Sequence, residues 1–220
     1  MSLVHDFATL VDGGAGRRRQ LVAVDGPDAA GKTSFARGLA EHCATPVITS
    51  SLDGWHNPRE QRLRRGRLSA EGYYRDSFDY VALRRRLLEP FARGAPSVPL
   101  SIFDHSSDNQ TTRPVEAPPQ ATLIVEGVFL LRPELRHQWH LALYLHVPES
   151  VTLERAMVRD LELFGSTSAV RKHYYARYLP GQALYRFEAH PVEHAHIVLD
   201  NSDCEHPTVL KWQPPISEGA

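Results

Sequence analysis

The chain has 220 residues, 42% of them hydrophobic and 23% charged, with a formal net charge of −1. That is enough for one α/β domain with a substantial core and short for two, and the near-zero balance gives no global sign of a nucleic-acid or membrane surface. No apolar run approaches the roughly 20 residues that a membrane-spanning helix needs. The start "MSLVHDFATL" lacks the basic-then-apolar pattern of a secretory signal. Two distant cysteines, Cys43 and Cys204, point to a reducing, cytoplasmic setting. Monomer and homo-oligomer are both open.

In chain order, Leu21–Val24 reads as a buried strand, and Thr33–Cys43 carries helical spacing at Phe35, Leu39 and Ala40. Pro46–Ser50 is a second short strand, followed by a long polar segment from Leu52 to Ser77 and a helix over Tyr80–Phe91. Ser97–Asp104 reads as a strand before a Pro/Gln/Thr-rich loop ending at Pro119. Ala121–Gly127 and Leu141–Val147 are the two clearest buried strands, and Pro148–Phe164 opens like a helix, with Pro and Glu in its first turn. A further helix around Ala169–Phe187 precedes a last strand, Ala195–Asp200. Strands alternating with helices argue a mostly parallel sheet covered on both faces.

The segment Gly26-Pro-Asp-Ala-Ala-Gly31-Lys32-Thr33 fits G-x-x-x-x-G-K-[ST], after a strand and opening a helix. Its glycines let the backbone curl so that N–H groups meet phosphate oxygens at a helix N-terminus. Lys32 reaches the β- and γ-phosphates in such a site, and the Thr33 hydroxyl serves Mg²⁺. Asp53, at the carboxyl end of the second strand, is placed to take a proton from an attacking hydroxyl. A turn or N-cap aspartate before Gly54 is an equal reading from the residues alone. Glu126 ends the apolar strand "LIVEG", where a carboxylate can hold Mg²⁺ or its water.

The order "VDGPDAAGKT", "SLDGWH", "EGYYRDSFDY", "LIVEGVFLL", "ERAMVRD" resembles the uridine kinase/phosphoribulokinase group of P-loop kinases, over about Leu21 to Asp203. The resemblance implies an α/β P-loop NTPase fold of the nucleoside- and nucleotide-kinase kind. It has a mostly parallel five-stranded sheet with helices on both faces and a mobile lid. One domain then covers 1–220, with an acceptor-binding insertion at about 53–79, the lid at about 160–168 and a tail at about 205–220. It implies ATP and Mg²⁺ as cofactors and a small-molecule acceptor, a nucleoside such as uridine or cytidine first, with no nucleic-acid or membrane partner. Asp53, Lys32 and Arg159 become catalytic, Arg159 closing over the transferring phosphoryl group. Gly26, Asp28, Ala29, Ala30, Gly31, Lys32, Thr33, Ser34 and Arg155 become ATP-binding, and Thr33 and Glu126 hold the metal. Asp53, His56, Tyr73, Phe103, His105 and His173 become acceptor-binding.

The chain departs from that pattern where acceptors are chosen. "DGWH" replaces the group's usual "DSFY", and in "FDHSSDNQ" His105 takes an aromatic place while Asp108 stands where a histidine is usual. The lid "LELFGSTSAV" has no basic residue. Six arginines between Arg59 and Arg75 either grip an anionic acceptor or form a solvated face. Phosphoribulose, pantothenate and nicotinamide riboside are the rival acceptors. A regulatory module that only senses or hydrolyses the nucleotide is the reading from another class. An N-K-x-D guanine signature is absent, "DNSD" at Asp200–Asp203 being the nearest string.

Overall fold

The structure is a computed structural model describing residues 3–15 and 19–215. Its first half runs α1 (Leu3–Ala15), β1 (Gln20–Asp25), α2 (Lys32–His42), β2 (Val47–Ser51), a 3₁₀ turn (Leu52–Trp55), α3 (Arg59–Arg62) and α4 (Ala70–Asp76). Next come α5 (Tyr80–Ala82), a π-helical stretch (Leu83–Leu88), α6 (Glu89–Ala92), and the short strands β3 (Ser97–Pro99), β4 (Phe103–Asp104), β5 (Asn109–Gln110) and β6 (Pro114–Glu116). The second half holds β7 (Thr122–Glu126), a 3₁₀ turn (Arg136–Gln138), β8 (Leu141–His146), α7 (Glu149–Arg159), α8 (Leu161–Phe164), α9 (Thr167–His173), a second π-helical stretch (Tyr174–Tyr178), α10 (Leu179–Ala189), α11 (Pro191–His194), β9 (Ile197–Asp200) and β10 (Thr208–Trp212).

The central sheet has strand order β10-β9-β8-β1-β7-β2. Five strands, β2, β7, β1, β8 and β9, are parallel, as expected, and β10 adds an antiparallel sixth at the edge. Every residue of β1 is buried because helices cover both faces, and its side chains alternate between two cores. Leu21 and Ala23 face a core with Leu52, Trp55, Tyr74, Phe91 and Phe129, whereas Val22 and Val24 face one with Phe7, Val11, Phe35 and Leu39. A separate cluster, Ala156, Val170, Tyr174 and Leu179, joins α7 to α9 and the helix after it.

Three sequence readings need correction. Ser97–Asp104 is not one strand and does not enter the central sheet. Val98 pairs with Val115 in one hairpin, and Phe103 pairs with Gln110 in another. The first ladder ends at the Pro99–Pro114 pair, where neither residue has an N–H to give. The polar stretch Leu52–Ser77 contains helices, the last started by Ser69, whose hydroxyl accepts from the Gly72 amide at 3.0 Å. The elements also extend further at both ends. Helix α1 packs through Phe7, Ala8 and Val11, and Trp212 on β10 meets Phe7 with ring centroids 5.1 Å apart. That strand falls in the expected tail, whose residues 216–220 lie outside the described ones.

Candidate active site

Strand β1 ends at Asp25, and the chain turns through Gly26 at φ +151°. A side chain there would come within 2.5 Å of the Leu145 carbonyl oxygen, so only glycine lets the loop pass so close to β8. Ala29 (φ +56°) and Gly31 (φ +85°) also take left-handed backbone, and α2 begins at Lys32. Three donors hold the loop's carbonyls: Lys32 Nζ on Pro27 (2.6 Å), Arg155 Nη1 on Ala29 (3.3 Å) and Asn201 Nδ2 on Ala30 (2.7 Å). With those carbonyls fixed, the first-turn amides of α2 stand at the mouth of the loop, where a helix has N–H groups and partial positive charge to offer an anion. This curled, lysine-bearing cradle fits a polyphosphate.

The register places the acidic groups. Glu126 on β7 lies opposite Val24 of β1 on one side and Ser51 of β2 on the other. Strand β2 is therefore not adjacent to β1, and Glu126 stands between the loop and Asp53. Glu126 is 7% exposed. Burial pushes its carboxyl above the usual value, while Lys32 and the Ser51 and Thr33 hydroxyls oppose that rise. The all-oxygen donors Thr33 and Glu126 suit a hard cation such as Mg²⁺. Asp53 lies in the 3₁₀ turn after β2, its amide donating to Ser51 Oγ at 3.3 Å. The turn-capping and catalytic readings of this residue thus separate: the Ser51 hydroxyl caps the turn, and the Asp53 carboxylate stays exposed.

The expected acceptor residues divide into two groups. His56 Nδ1 donates to the Asp53 carbonyl at 2.9 Å, which fixes the proton on that nitrogen. Its ring lies between Phe78 (4.4 Å) and His105 (4.7 Å), and burial depresses its basicity to a pKa of about 4. Phe103 is buried on β4, two residues before His105. Tyr73 instead supports the phosphate loop: its hydroxyl donates to Asp28 at 2.8 Å, and Gln182 Nε2 donates to the same oxygen at 2.6 Å. Asp28 therefore faces this polar wall, with Lys32, Arg159 and Asp53 within electrostatic reach. His173 lies elsewhere, stacked on Phe164 at 4.3 Å and donating from Nδ1 to the Ala169 carbonyl at 2.9 Å. Arg159 grips Asp160 through one guanidinium edge, Nε at 2.7 Å and Nη2 at 3.0 Å, and Nη2 also meets the Tyr174 hydroxyl at 3.1 Å.

Several supporting residues escaped the sequence reading. Asp25, fully buried, accepts from the amides of Gly26 (2.7 Å) and Leu131 (3.1 Å) and from the Tyr185 hydroxyl. Burial raises its pKa to about 6 against those bonds. An acid closing the apolar run Leu21–Val24 is the same signal that marks Glu126, and it was readable. Asn201 sits in the "DNSD" string, and its side-chain amide holds the Ala30 carbonyl. Of the arginine run, Arg64 and Arg65 both pair with buried Asp76, and Arg75 pairs with Glu71 and Glu188. No helix among the described residues is long and apolar enough to cross a membrane.

Comparison with known proteins supports the same architecture. No protein-family model matches the chain. The uridine kinase of Streptococcus agalactiae is 24% identical over 144 residues, 64% of this chain and 68% of that protein. Among solved structures, one described as a possible uridine kinase from Bacillus stearothermophilus superposes with a TM-score of 0.67 at 21% identity, covering 88% of this chain and 98% of that one. The phosphoribulokinase of Rhodobacter spheroides superposes at 0.58 with 13% identity, covering 90% and 76%. The fold is that of the P-loop kinases.

Proposed function

We propose that this chain is an ATP-dependent phosphotransferase that moves the γ-phosphoryl group of ATP to a hydroxyl of a small molecule. One observation carries the reading: a free carboxylate, Asp53, stands one strand beyond Glu126 in the row that starts at the phosphate loop. A module that only binds nucleotide has no use for a base in that place, and the dependence of ADP release on an acceptor separates transfer from hydrolysis.

In the proposed reaction the Asp53 carboxylate takes the proton of the acceptor hydroxyl, and that oxygen attacks the γ-phosphorus. The bond from the γ-phosphorus to its bridging oxygen breaks, and ADP leaves with the electron pair. Lys32 exchanges its Pro27 carbonyl for phosphate oxygens and neutralises charge building there. Thr33 and Glu126 would hold Mg²⁺, which supplies further neutralisation of the phosphate oxygens. Asp25 and Asn201 keep the loop's peptide planes in place, and Arg159 reaches the transferring group when the segment 160–168 closes as a lid. The name uridine kinase carried by the relatives supports a nucleoside such as uridine as the first acceptor, and the family resemblance adds cytidine. The free thiols of Cys43 and Cys204 support work in the reducing cytoplasm.

The test measures ADP release from Mg²⁺ and ATP by the full chain across nucleosides, sugar phosphates and vitamins. The proposal expects at least one acceptor to raise the rate about a hundredfold or more over ATP alone. Equal ADP release with and without every acceptor would identify a hydrolase or sensor instead.

A further inference from the structure

Two arginines beside the acceptor residues are incompletely matched: Arg62 keeps one nitrogen without a partner, and Arg177 is buried with no carboxylate hydrogen-bonded to it. Arg62 uses Nη2 for the His105 carbonyl (3.2 Å) and for one oxygen of Asp108 (3.1 Å), an oxygen that also accepts from the Arg59 amide at 2.9 Å. Its Nε is buried without any hydrogen-bond partner. Arg177 is 6% exposed, and its partners are all neutral: the carbonyls of Arg67 (3.4 Å) and Ser69 (3.1 Å) and the Ser77 hydroxyl (3.3 Å). Arg177 is thus a buried guanidinium without a carboxylate, which is costly, and the unpaired Nε of Arg62 leaves that fork a donor for an oxyanion.

Their place in the fold connects both to the reaction centre. Arg62 holds the backbone of His105, whose ring lies against that of His56, and His56 is tied to the Asp53 carbonyl. Arg177 lies over the ring of Tyr73, 5.4 Å from its centre, and Tyr73 is hydrogen-bonded to Asp28 of the phosphate loop. The charge of Arg62 also acts on both Arg177 and His56. Asp108 is the one carboxylate paired with the two among the described residues, and it is shared and half-exposed.

We infer that the acceptor carries an anionic oxyacid group, a phosphate monoester or a carboxylate, set apart from the reacting hydroxyl, and that Arg62 and Arg177 receive it. This rests on the kinase reading above and narrows it, moving the acceptor from neutral nucleosides toward phosphorylated sugars or hydroxy acids. Asp108 standing at the position where the similar kinases carry a histidine fits the same change, because it braces Arg62 in place.

The test uses matched pairs that differ only in the anion: ribulose against ribulose 5-phosphate, and pantothenol against pantothenate, with uridine and cytidine as neutral references. The inference expects kcat/KM for the charged member of one pair to exceed its neutral partner and both nucleosides by about a hundredfold or more. The pair that responds tells phosphate from carboxylate. Arg62→Gln should shrink the charged-to-neutral ratio at least about tenfold, and Arg62→Lys, which keeps the charge without the fork, should fall between. Thermal unfolding of both variants checks that they fold. Turnover of uridine or cytidine at least as good as that of the charged compounds overturns the inference and leaves the kinase reading standing. A ratio unchanged in both variants overturns it too, and no acceptor-dependent ADP release from any compound overturns both readings.

Discussion

His56 shows how one residue's surroundings set a measurable property. Packed between Phe78 and His105, with Asp53 and Arg62 as charged neighbours, it stays neutral down to a pKa of about 4, against an ordinary value of 6.5. Between those two values the unfolded chain binds a proton that the folded chain refuses, so acidification from pH 6.5 to 4 removes stability, on the order of 1–3 kcal/mol. Asp25 acts in the opposite sense. Its folded pKa of about 6 lies above its ordinary 3.8, so protonation favours the folded state as pH falls through the same range. Comparing unfolding midpoints of the wild type and His56→Gln from pH 7 to 4 isolates the histidine, because Asp25 is common to both. The variant's midpoint should decline less steeply, and parallel curves would contradict the burial argument. At this scale the phosphate loop was legible because its spacing is a direct consequence of phosphate geometry. Tyr73 supporting Asp28 and Asn201 holding the Ala30 carbonyl were not, because both contacts join segments far apart in the chain.

At the scale of elements, strand order decides what each loop can do. Strand β7 inserts between β1 and β2 and sets Glu126 between the phosphate loop and Asp53, an order that parallel-strand patterning alone does not specify. Helix α7 ends at Arg159, and Gly165, with φ +77°, separates α8 from α9, whose start is capped by Ser166. Arg159 rests on Asp160 and Tyr174, so it touches the phosphoryl group only if this segment moves. Arg159→Ala should therefore cut kcat by about a hundredfold while changing ATP affinity less than about threefold, measured by steady-state kinetics and calorimetry. Equal losses in both would make it a ground-state contact. Buried strands were read to within a residue or two because four apolar residues in a row have few alternatives. The Ser97–Asp104 stretch misled because its composition suits a strand while Pro99 stops the ladder.

In the whole molecule, a sheet whose central strands are buried on both faces presents the carboxyl ends of β1, β7 and β2 side by side, each ending near a different chemical group: the phosphate loop, Glu126 and Asp53. The alternation of strands and helices announced this architecture. The sixth strand and the first helix did not announce themselves, because Phe7 and Trp212 gain their meaning only from packing on each other across the full length of the chain. The central claim is that these strand ends form a transfer site and not merely a nucleotide site. Asp53→Asn tests it most directly, since asparagine keeps the shape and hydrogen-bonding reach but cannot take the proton. With the best acceptor in hand, phosphoryl transfer and ATP affinity are measured on the same preparation. ATP affinity should stay within about threefold of the wild type while transfer falls by about a hundredfold or more. Transfer at the wild-type rate would contradict that claim.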